Sequence, residues 1–109
     1  PRGQFLVQGS AGFIPDALGN LEVDVVFLGT GGLSSLPKDY QNQYLDEFVH
    51  QRRPQTVFTI HHDNLTGDLG SVEQSWIYPE FDQNSAFDLM QRLLPSVLKQ
   101  MEFGVAVEL

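Results

Sequence analysis

Apolar and polar positions change period several times along this chain, and each change predicts an element. Gln4-Phe5-Leu6-Val7-Gln8 is a short β-prone run that ends at the breaker cluster Gly9-Ser10-Ala11-Gly12. After Pro15 a short stretch, Asp16 to Leu21, is compatible with a helical turn. Val23-Asp24-Val25-Val26-Phe27-Leu28 is nearly continuous in Val and Phe, the mark of a strand covered on both faces, and Gly29-Thr30-Gly31-Gly32 ends it.

Beyond Pro37, Tyr40, Tyr44, Leu45, Phe48 and Val49 recur at helical spacing, which predicts an amphipathic helix. His50, Arg52 and Arg53 would then place positive charge in its last turn, where the helix dipole favours it. Pro54 stops the helix, and Thr56-Val57-Phe58-Thr59-Ile60 follows as another buried, β-branched strand leading into His61-His62-Asp63-Asn64. Strand, helix and strand in this order predict a right-handed βαβ crossover in a parallel-type sheet.

Residues 65–83 show no clear period and read as a long loop carrying Trp76, Tyr78 and Phe81. Asn84 or Ser85 caps a second helix, with Asp88 three residues after Ser85 and a buried stripe running from Leu89 to Met101. Pro95 must kink or split it, because proline lacks the donor N–H and crowds the preceding turn. Val105-Ala106-Val107-Glu108-Leu109 is expected to be a final strand.

Composition narrows the classes. At 109 residues the chain is one domain's worth of sequence, and at 41% hydrophobic and 18% charged it can fill a core. A net charge of -8 repels phosphate backbones and anionic lipid, so a basic nucleic-acid face and a membrane-surface role are not expected. No apolar run reaches the roughly 18 residues that span a bilayer, so a soluble segment is expected. Absent cysteine removes disulfides, thiolate zinc sites and thiol nucleophiles, and it does not fix the compartment, a cytoplasmic protein being slightly favoured over a periplasmic one.

The strongest chemical signal is His61-His62-Asp63 at the carboxyl end of a buried strand, where ligands of open α/β sheets collect. Neutral imidazole offers a lone pair to zinc or iron, and a nearby carboxylate can bind the same ion or orient the ring. With a period of two, His61 shares a face with Val57 and Thr59 while His62 points the other way. Two polar residues closing a strand, one of them hydrogen-bonded at the surface, remain the structural alternative. The glycine turns at 9–12 and 29–32 let a ligand approach the backbone. Neither carries a GxGxxG or GxxxxGK[ST] pattern, and Gly9-Ser10-Ala11-Gly12 lacks the spacing of a nucleophile elbow.

The succession GQFLVQGSAGF, VDVVFLGTGG, helix, TVFTIHHDN resembles the C-terminal half of a metallo-β-lactamase-fold hydrolase over nearly the whole chain from Gln4 to Leu109. The resemblance implies half of an αβ/βα sandwich, with a mixed sheet and two main helices on one side. It implies His61 as a metal ligand, Asp63 and His62 as secondary candidates, and Ser10, Gly31 and Gly32 as cleft lining. Ser10 falls where the family carries a bridging Asp, which leaves the number and identity of the metals open. The family's HxHxDH motif, source of most ligands and of the base, is not in this sequence, so no catalytic residue is assigned within it.

The resemblance makes residues 1–109 a single segment of a domain whose N-terminal half lies outside it. The implied cofactor is zinc, one or two ions in the complete domain. The implied activity is hydrolysis of an ester, amide or phosphoester-type small molecule, inactive in the isolated chain. The implied partner is the N-terminal half, or a second copy in a homo-dimer. The rival reading is a non-enzymatic or degenerate α/β module that acts through partner binding, with His61 and His62 structural.

Overall fold

The computed structural model describes residues 3–60, 83–99, 101 and 104–108. It is an α/β arrangement around a four-stranded sheet ordered β1-β2-β3-β4: β1 Phe5–Gln8, β2 Val25–Gly29, β3 Thr56–Ile60 and β4 Leu98–Lys99. All three pairings are parallel. The described sheet is therefore not mixed, contrary to expectation. The reason lies in the connections: each pair of neighbours is joined by a long crossover, whereas antiparallel neighbours would need only a tight turn.

The register stacks side chains in rows across the sheet. Leu6, Val26, Val57 and Leu98 form one row, and Val7, Phe27, Phe58 and Lys99 form the next, on the opposite face. The first face is the core side. Val26, Leu28 and Val57 pack there with Tyr44, Leu45, Phe48 and Val49 from the first helix and Met90 and Leu94 from the second. On the other face Phe5 and Val7 remain 52% and 64% exposed, although Val25 and Phe58 are buried. An aromatic ladder crosses this second face, with Phe27 stacked on Phe58 at 5.5 Å and edge-on to Phe5 at 6.3 Å.

Helix α1 spans Lys38–Leu45 and continues as one wider, π-helical turn over Asp46–His50, marked by the Gln51 N–H donating to the Asp46 carbonyl at 3.0 Å. A single regular helix was expected here. The wider turn has a use. Glu47 and Arg52 are five residues apart, about 140° around an ideal helix axis, and the extra residue in the turn narrows that angle so that both reach the same loop.

The Glu47 carboxylate accepts the amides of Asp16 and Leu18 at 3.1 and 3.4 Å. The Arg52 guanidinium donates to the carbonyls of Leu18, Gly19 and Leu21 at 3.3, 2.8 and 2.8 Å. One helix thus satisfies donors and acceptors of a segment that was expected to be a helical turn and is a succession of tight turns instead, with Asp16 held at φ 62°.

Arg52 is fully buried, so it is not the helix-end charge that its position suggested. Arg53, by contrast, is exposed and pairs with Glu22 at 3.4 Å.

Helix α2 spans Gln83–Leu93. It stops two residues before Pro95 rather than passing through it, and the stripe that looked helical beyond this point becomes a turn and the two-residue β4. Residues 105–108 form no strand, so the final strand is not found; Val105 and Val107 are 56% and 42% exposed. Local β-propensity alone does not hold a strand that lacks a neighbour. The loop read over 65–83 falls on residues 61–82, outside the described ones, apart from its last residue, Gln83, which opens α2. Among the described residues no helix is long and apolar enough to cross a membrane.

Replacing Arg52 by Met keeps the apolar stem but strips three loop carbonyls of their donor. Urea denaturation is expected to show a loss of about 1–3 kcal/mol, with faster amide exchange over residues 16–21. Unchanged stability would mean that water serves those carbonyls as well.

Candidate functional site

The carboxyl ends of β1, β2 and β3 lie side by side, as a parallel sheet requires, and two glycine turns leave from the first two. Gly29 closes β2 where a side chain could not fit. A Cβ there would stand 2.8 Å from the Gln8 carbonyl oxygen and the Ser10 amide, and 2.9 Å from the Gly9 carbonyl carbon. The turn after β1 therefore rests directly on β2. Gly32 is glycine for another reason: its φ of 76° lies in the left-handed region, where it turns the chain into the short 3-10 helix Leu33–Ser35.

Two tyrosines one turn apart on α1 hold this edge from below. The Tyr44 hydroxyl donates its single proton toward both the Gly29 carbonyl at 2.6 Å and the Ser10 carbonyl at 3.1 Å. The Tyr40 hydroxyl donates to the Ala11 carbonyl. From the turn's own side, the Gln8 side-chain amide donates to the Ser10 and Gly12 carbonyls. Phe13 then packs edge-on against Tyr40, Tyr44 and Phe48 with centroids 5.5–5.8 Å apart, tying the chain after the turn to the same helix. Burial pushes the Tyr44 phenol above its ordinary pKa, with the neighbouring Tyr40 adding to the shift.

Of the residues read from the sequence, Ser10 is exposed on its turn, and Gly31 and Gly32 are half-buried in theirs. The structure brings the two turns together through Tyr44. It joins them to the end of β3 as well, where the Thr30 amide donates to the Ile60 carbonyl at 3.0 Å. His61, His62 and Asp63 lie outside the described residues. Among the described residues no group of three or more His, Asp or Glu side chains could hold a metal ion. The described part of the edge offers hydroxyl and backbone groups only, and these by themselves do not fit zinc.

Two features of this edge escape a reading in one dimension. Tyr40 and Tyr44 read as core stripe, which they are, but their polar tips also set the turns; the i, i+4 spacing was the available signal. Thr30 is 1% exposed and its hydroxyl has no partner among the described residues. A recess of about 480 Å³ lined by Gly19, Glu22, Asp46, His50, Gln51 and Arg53 lies at the opposite, amino end of the strands, away from the edge where ligands of parallel sheets bind. His50 sits there, exposed at the end of the π turn. Comparison with protein-family models, with curated proteins and with solved structures found no match.

Tyr44→Phe removes the one proton that both turns share and is expected to cost about 1–3 kcal/mol in denaturant melts. The phenol's pKa is raised in the folded state, so its contribution is complete below the unfolded value of about 10 and is lost as pH climbs beyond it. Melting temperatures followed from pH 9 to 11.5 should fall more steeply for the parent chain than for Tyr44→Phe. Parallel curves would show that Tyr44 ionises as freely folded as unfolded.

Proposed function

We propose that this chain is the C-terminal half of a metal-dependent hydrolase of the metallo-β-lactamase kind, an αβ/βα sandwich completed by an N-terminal half. The observation that carries the reading is the unequal cover of the sheet. Helices and crossovers fill one face, while on the other Val25 and Phe58 are buried but Phe5 and Val7 of β1 stay more than half exposed, an apolar patch that the second layer of a sandwich would cover. The two glycine turns at the carboxyl edge support it, since they leave the backbone open beside the strand that leads to His61.

In the complete domain His61 is the ligand this half contributes, with Asp63 and His62 secondary; most of the coordination shell comes from the other half. Zinc bound there would lower the pKa of its water toward 7 and polarise the bond to be cleaved. What this chain's described residues do is narrower. Gly31 and Gly32 would line the cleft, Ser10 would present a neutral hydroxyl in place of a carboxylate, and Tyr44 and Tyr40 fix both turns in relation to each other. The substrate is an ester, amide or phosphoester-type small molecule.

Two experiments test this. In the full-length protein His61→Ala should lose most bound zinc and hydrolysis, while His62→Ala retains much of both; the reverse order would move the ligand to His62, and no zinc in the parent protein would sink the proposal. The isolated chain should bind zinc only weakly by calorimetry, because catalytic zinc sites need three protein ligands.

A further test is association. Sedimentation of the 12.2 kDa chain should show a dimer, or a complex when the N-terminal half is supplied. A compact monomer with a cooperative melt, indifferent to the other half, would count for a self-sufficient module.

A further inference from the structure

Cations are scarce in this protein, six against 14 acidic residues, so where the described ones stand is informative. Arg52 is buried on loop carbonyls, Arg53 pairs with Glu22, and Lys99 stands on the second face of the sheet. Lys38 and Arg92 remain. Both are exposed, neither has an ion-pair partner among the described residues, and both line the same recess. Asp88, one helical turn before Arg92, does not pair with it.

The recess holds about 480 Å³ and lies between the start of α1, the middle of α2 and the segment Ser34–Pro37. Leu36 and Leu89 give it apolar wall, and Ser34 adds a hydroxyl. Gln41 is 7% exposed and its side-chain amide donates to the Leu33, Ser34 and Leu36 carbonyls, which fixes the strip joining β2 to α1 along one side. Asp39, the acidic residue of the first helical turn, does not line it. In a chain with net charge -8, two cations without an ion-pair partner among the described residues, held beside two leucines, form a place where a small anion meets local attraction, although the molecule as a whole repels it.

We propose that this recess is a binding site for a small organic carboxylate with an apolar body: Lys38 and Arg92 take the oxyanion and Leu36 and Leu89 take the chain. Arginine's fork suits a carboxylate, and the leucine wall distinguishes such a ligand from a fully hydrated anion such as inorganic phosphate. The recess shares no lining residue with the two glycine turns, and the proposal does not depend on the hydrolase reading.

Octanoate, acetate and inorganic phosphate, each titrated into the 109-residue chain and followed by amide and side-chain NMR shifts, test it. Octanoate should saturate with shifts centred on residues 34–41 and 89–92, and bind several-fold more tightly than acetate or phosphate. Lys38→Gln with Arg92→Gln should weaken octanoate by up to about tenfold, the sum of two exposed charge contacts. Arg53→Gln with Lys99→Gln removes the same charge elsewhere and should leave it unchanged. Equal weakening by the two double variants would reduce the effect to net charge and overturn the site. Equal affinity for octanoate and acetate would overturn the ligand class, and absence of saturable shifts would overturn both.

Discussion

The whole arrangement depends on the hand of the crossover. A strand that twists to the right and feeds a connection returning to the next parallel strand almost always does so right-handedly. When the strands are laid down in the order β1-β2-β3-β4 without reversal, that rule sends every connection to the same face. The segment between β1 and β2, helix α1 and helix α2 all pack on the row of Leu6, Val26, Val57 and Leu98. On the second face Val25 and Phe58 are buried, while Phe5 and Val7, on the edge strand β1, stay exposed.

Helix α1 is the template on which the first crossover is laid. Along one side it presents Tyr40 and Tyr44 to the turn after β1, Phe48 to Phe13, and Glu47 and Arg52 to residues 14–21. These groups supply donors and acceptors in the order that an irregular backbone needs them, which is how a connection without regular structure can be packed against a core. The π turn is the geometric device that lets the last two act together. A buried guanidinium held only by carbonyl and amide oxygens is an expensive choice, and it is offset by the donors it brings to the carbonyls of a segment of tight turns, where of the three only Leu18 also accepts from a backbone amide, that of Leu21.

The carboxyl edge is built by the same logic at shorter range. Gly29 gives up its side chain so that the Gly9–Ser10 backbone can lie against β2, and Tyr44 then bridges the two carbonyls brought together. Rigid turns at that edge hold the backbone in fixed positions, whichever chemistry the residues after Ile60 contribute.

Period and breakers in the sequence were enough to determine three strands and the start of the first helix, because runs of Val, Ile and Phe and the recurrence of Tyr, Leu and Phe at helical spacing leave a pattern that survives in one dimension; the second helix begins at Gln83, ahead of the cap expected at Asn84 or Ser85. Ser10, Gly31 and Gly32 were legible as turn residues for the same reason: glycine marks backbone that cannot carry a side chain. What only the tertiary structure decided were facts about partners. Arg52 looked like a helix-end charge until a loop 31 to 34 residues earlier in the chain came to lie under it. Val105–Glu108 has the alternation of a strand but pairs with none of the described strands, and Leu98–Lys99, inside a helical-looking stripe, takes the place beside β3. The parallel sense of the whole sheet likewise came from its connections. A side chain's neighbours across the fold are not written in its own sequence window, so charge burial, strand pairing and the exposure of Phe5 and Val7 were settled in three dimensions.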